Sequence, residues 1–184
     1  MKFVDSISFM NPDDSLDKLT KSLRNNDAYE TKNFKQSKQY FLKEYPFMTD
    51  EDFKLVITKG IYPYEYMNSF DRFNETNLPD IKCFYSSLND ETITEDQYKH
   101  AKKVWETFEI KNMGEYHDFY LKADVMLLSD VFENYRDLDL KTYNVDPAWY
   151  LTAPSFSLDV ALKKYGEKLN FSIIQKNMKI CITS

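Results

Sequence analysis

Glycine is nearly absent: three of 184 residues, Gly60, Gly114 and Gly166. That scarcity excludes a glycine-cradled phosphate loop, and neither GxGxxG nor GxxxxGK occurs. Cysteine is equally thin. Cys83 and Cys181 are far apart, so neither a disulfide framework nor a zinc cluster follows. Two histidines, His100 and His117, leave little room for imidazole-rich metal chemistry. No apolar run approaches the roughly 20 residues of a membrane helix, and the opening MKFVDSISFM is too polar for a secretory signal. A soluble intracellular chain is expected. Basic charge is also in deficit: the net charge of −6 counts against nucleic-acid binding by this chain alone, because phosphate neutralisation needs a clustered basic surface.

What is abundant is apolar and aromatic. Hydrophobic residues make up 42% and aromatics 16%, enough for one ordinary domain with a real core. Phe3, Asp5, Ile7 and Phe9 alternate with smaller residues, which predicts a short N-terminal strand. Helices follow. Asp14 is placed to cap one carrying Leu16, Leu19 and Leu23, and a second is expected over about Phe34–Tyr45, ended by Pro46. Thr49 with Asp52 predicts a third, for which Gly60 stands where a C′ residue belongs. Thr94 with Gln97 forms a capping box ahead of Tyr98, Ala101, Val104, Trp105 and Phe108, a core-facing stripe. Asn112 and Glu115 then open a long helix to about Leu140, and Ser155 opens a last one closed by Gly166.

Within the long helix stand Tyr120 and Asp124, four residues apart and therefore on one face. A carboxylate for a divalent cation and a phenol near an attacking water suit a metal-dependent phosphodiesterase. The same spacing also arises as a half-buried tyrosine beside a solvated aspartate. Both side chains are expected to face a solvent-reachable hollow, with Val125, Leu128 and Phe132 buried on the opposite face.

The run YHDFYLKADVMLLSDVFENYRDL (Tyr116–Leu138), with KGIYPYEYM upstream and YLTAPSFSLDVALKK downstream, resembles family B DNA polymerases of the protein-primed branch. The likeness is to polymerases of Polinton/Maverick-type mobile elements and related linear plasmids and viruses. It runs from about Phe3 to about Leu169. The resemblance makes Tyr120 and Asp124 the third exonuclease motif of a 3′–5′ proofreading domain. It makes Lys59, in Lys59-Gly60-Ile61-Tyr62, the lysine that assists the exonuclease reaction, although Lys59 also reads as a helix-dipole partner. It makes Ser6, in Asp5-Ser6-Ile7, a ligand of the single-stranded 3′ end, with Ile7 where the family has leucine.

The resemblance implies an α+β, helix-dominated fold. Residues 1–145 would be the C-terminal part of a ribonuclease H-like exonuclease domain, and residues 146–184 a truncated lead-in to the polymerase domain. The complete family uses Mg2+ or Mn2+, with Asp124 as one metal ligand, and works on DNA with a terminal protein. The first two exonuclease motifs are expected upstream of Met1 and the palm aspartates beyond Ser184; no Asp-Thr-Asp occurs. The chain alone is thus expected to bind no cation and to be inactive, with a tendency to self-associate. A nuclear location follows if the source is a eukaryotic mobile element. A catalytically dead helical interaction module is the other reading.

Overall fold

The structure, a computed structural model, describes residues 9–10, 14–25, 32–88 and 90–165. They form α1 (Leu16–Asn25), α2 (Lys35–Glu44), α3 (Asp50–Val56), α4 (Glu95–Thr107), α5 (Met113–Tyr143) and α6 (Ala153–Tyr165). Short 3-10 turns lie at Phe70–Asn74, Ile81–Phe84 and Pro147–Trp149. The helix-dominated expectation holds, and the β part of α+β falls mostly on residues outside those described. Among the described residues there is no strand, and the isolated bridge between Ser86 and Glu91 is the extent of β pairing. Most of the expected Phe3–Phe9 strand lies outside the described residues, and Phe9 itself sits in a 3-10 turn. Among the described residues no helix is long and apolar enough to cross a membrane.

The chain divides into two compact units, residues 13–134 and residues 1–12 with 135–184. The larger one is built by capped helices around an aromatic core. Thr49 accepts the Asp52 amide while the Asp52 carboxylate accepts the Thr49 amide, and Thr94 and Gln97 do the same for α4. Both expected capping boxes are present. Asn112 accepts the Glu115 amide at 2.9 Å at the start of α5. The core packs Phe34, Phe41, Phe53, Val56, Ile57, Met113 and Leu127, all at most 1% exposed. Ring contacts tie it together: Phe108 lies 4.6 Å and Phe41 5.4 Å from Phe119, centroid to centroid.

The N-terminus of α2 has no cap from its own chain neighbours. Asp130, on α5 and 1% exposed, supplies it instead. Its carboxylate accepts the Gln36 amide at 2.8 Å, the Ser37 amide at 2.9 Å and the Ser37 hydroxyl at 2.5 Å. An anion at a helix N-terminus satisfies orphan donors and meets the positive end of the dipole. This bond fixes the distance between α2 and α5.

Helix α5 corrects an expectation. Its buried face is Tyr116, Phe119, Ala123, Leu127 and Val131, at steps of three and four. Val125 and Leu128, expected in the core, are 51% and 40% exposed, and Phe132 is half-buried. The helix is apolar on two faces, so composition alone does not say which turns inward; the aromatic core of α2, α3 and α4 does.

The smaller unit is held by local bonds. Arg136 grips Asp146 through two nitrogens at 2.8 and 2.6 Å, and Asp146 also accepts the Ala148 amide. Tyr150 donates to Asp159 at 2.5 Å and rests edge-on against buried Phe156.

Candidate active site

Helix α5 presents Tyr120 and Asp124 one turn apart, as the i and i+4 spacing requires. The segment after α3 brings Lys59 to both. Its ammonium donates to the Tyr120 hydroxyl at 2.8 Å and forms an ion pair with Asp124 Oδ2. Residues 61 and 65 positions apart in the chain thus meet at one point. The pair is sheltered, with side chains 23% and 25% exposed.

The Lys59 segment is pinned along α5. Tyr116 donates to the Ile61 carbonyl at 2.8 Å, and the His117 ring bonds the Tyr62 hydroxyl at 2.9 Å. Tyr62 stacks on Tyr120 with centroids 5.1 Å apart. Gly60 lies in close approach to α5: a Cβ there would stand 3.3 Å from the Tyr120 ring, which would have to give by a few tenths of an ångström. This replaces the expected C′ role, because α3 ends at Val56 with Ile57 as its C-cap. Lys59 accordingly stands beyond the helix end, and its partners are side chains of α5.

The geometry adds Tyr64, from the same Lys59–Tyr64 segment. Its hydroxyl lies 2.8 Å from that of Tyr120, on the solvent side, and its side chain is largely exposed. Burial, the bond to Tyr64 and the neighbouring Asp124 charge push the Tyr120 phenol far above its ordinary range. Tyr120 is therefore a neutral hydroxyl, able to accept from Lys59 and donate outward, and not a phenolate base. No sequence signal marked Tyr64 or His117 as neighbours of this point; only the path of residues 59–64 along α5 does.

Asp124 is unevenly served. Oδ2 holds Lys59, while Oδ1 is buried without a hydrogen-bond partner. A divalent cation at this point would need several more oxygens. Among the described residues no group of three His, Cys, Asp or Glu side chains gathers to hold one. The donor set does not fit magnesium or manganese by itself. Ser6 lies outside the described residues.

The chain is similar to a probable DNA polymerase of Podospora anserina, 26% identical over 137 residues. The alignment takes in 70% of this chain and 11% of that relative, so the chain spans about one-ninth of the relative's length. No family model and no solved structure matches.

Proposed function

We propose that the chain is part of a DNA-directed DNA polymerase of the protein-primed family B type, carrying the last portion of its 3′–5′ exonuclease site. One observation supports this most: Lys59, Tyr120 and Asp124, drawn from two distant segments, converge within hydrogen-bond reach. Similarity to a probable DNA polymerase supports it independently. Residues 1–145 are assigned to the exonuclease portion and 146–184 to the lead-in to the polymerase portion. Ser6 is assigned to the DNA 3′ end, and in the complete protein the partners are single-stranded DNA and a terminal protein.

In this reading Tyr120, neutral and held between Lys59 and Tyr64, orients a water or a phosphate oxygen by hydrogen bonding. Lys59 neutralises charge developing on the scissile phosphate. Asp124 holds Lys59 in place until the site is completed. Completion requires further carboxylates from segments beyond those described, which would bring the Mg2+ or Mn2+ chemistry of the family. Two features of α5 support an incomplete site: the unpartnered Asp124 Oδ1, and the exposed stripe Leu121, Val125 and Leu128 beside it on the helix. A nuclear location goes with a eukaryotic mobile element as the source.

The second reading, a helical interaction module without catalysis, is favoured by the closed Lys59–Asp124 pair and the small donor set. Sequencing the DNA on both sides of this coding segment separates the two. Upstream Asp-x-Glu and downstream Asp-Thr-Asp codons, in any frame, sustain the polymerase reading; their absence over a polymerase's length overturns it. The purified chain should neither extend a primer nor digest a labelled 3′ end with magnesium or manganese. Digestion lost on Asp124→Ala would overturn the claim that the site is incomplete.

A further inference from the structure

Helix α4 ends in an unusual way. Glu109 donates its amide to the Glu106 carbonyl at 3.3 Å, and Ile110 to the Trp105 carbonyl at 3.0 Å, the paired bonds of a Schellman motif. The motif puts its C′ residue in the left-handed region, and Glu109 has φ of 51°. Glycine or asparagine is the usual occupant, as Asn144 is after α5 with φ of 53°. A glutamate there is strained, and its carboxylate makes no hydrogen bond or ion pair among the described residues. Strain of this kind concentrates where a side chain has a task.

Glu109 stands on the rim of a groove of about 310 Å3, whose walls include Tyr45, Pro46, Phe47, Met48 and Phe108. That volume is near the lower end for ligand pockets. Phe47, at the tip of the turn closed by the Met48 amide on the Tyr45 carbonyl, is 97% exposed. Two more carboxylates line the groove, both engaged: Glu44 pairs with Lys122, and Asp52 is held by Thr49. Lys122 is engaged by Glu44 and Lys103 acts on Asp52, while Lys111, two residues beyond Glu109, forms no ion pair with it among the described residues. Glu109 is thus unpaired among the described residues, and its charge is reinforced by the negative C-terminal end of α4. An aromatic wall beside an uncompensated carboxylate is complementary to a cationic side chain.

We infer that this groove docks a lysine or arginine side chain presented by a segment of another protein, with Glu109 as the charge partner and Phe47 as the aromatic lid. The groove shares no residue with the Lys59–Tyr120–Asp124 site, so the inference does not rest on the polymerase reading.

The test is a titration of the isotope-labelled chain, followed by NMR, with N-acetyl-arginine amide, N-acetyl-lysine amide and the uncharged N-acetyl-norleucine amide. Saturable shifts at Tyr45, Phe47, Phe108 and Glu109 are expected for the charged probes, weakening as salt rises, with norleucine silent. Glu109→Gln should abolish them and Phe47→Ala should weaken them; both side chains are exposed, so the chain stays folded. Glu109→Gly should also abolish binding while raising the melting temperature, a pairing that a merely structural glutamate would not give. An equal response to norleucine, undiminished binding in Glu109→Gln, or no saturable shift would each overturn the proposal.

Discussion

Two aspartates on α5, six residues apart, meet opposite fates. Asp130 is 1% exposed and saturated: two backbone amides and a hydroxyl, all from the start of α2, converge on it. Asp124 is 25% exposed, pairs with one flexible ammonium and keeps a buried oxygen without a partner. A carboxylate satisfied by fixed backbone donors has little left to offer a ligand, and its work is structural. One served by a lysine can exchange that lysine for something else. Burial alone would have ranked Asp130 as the site, whereas the inventory of donors ranks Asp124.

The largest effect that would break this comparison is on stability. Asp130→Ala should destabilise the chain by about 2–4 kcal/mol, since it strips the α2 N-terminus of its cap and leaves buried donors unmet. Asp130→Asn should lose less, because one acceptor oxygen survives. Urea denaturation checks both, and an Asp130→Ala variant as stable as the parent would make the cap incidental.

Gly60→Ala comes next. The added Cβ stands 3.3 Å from the Tyr120 ring, which must yield, so a loss of about 1 kcal/mol is expected. Thermal melts measure it, and a Tyr120→Leu background should reduce the penalty.

Asp124→Ala should move stability by only ~0–1 kcal/mol, because the Lys59 pair is partly open to solvent and Lys59 can turn to water. A loss as large as that of Asp130→Ala would erase the distinction between the two aspartates.

The subtlest sharpening is with pH. Burial pushes the Asp130 carboxyl above its ordinary 3.8, against the pull of the Ser37 and Gln36 donors. The folded chain then holds that proton more tightly than the unfolded one. Its contribution to stability is fully present below pH 3.8 and declines as pH rises through the raised value. Stability measured across the acid range should show this decline in the parent and lose it in Asp130→Asn. Identical profiles would refute the shift.

What the sequence determined by itself is local. Capping boxes at Thr49 and Thr94, the Asn112 start of α5 and the i, i+4 placement of Tyr120 with Asp124 depend on residues within one or two turns, whose bonds need no distant partner. The convergence of Lys59 on that pair was legible only through resemblance to a family, since nothing in the spacing of residues 59 and 124 joins them. Tertiary structure decided the rest. Which apolar face of α5 turned inward depended on the aromatic core it met, so Leu127 was buried and Val125 was not. Asp130 became a cap because α2 arrived without one, and a side chain at position 60 would press on the Tyr120 ring that lies against it. These outcomes rest on pairs separated by dozens of residues. Periodicity reports only that a helix has a face, and the neighbour that packs against it determines what the face is for.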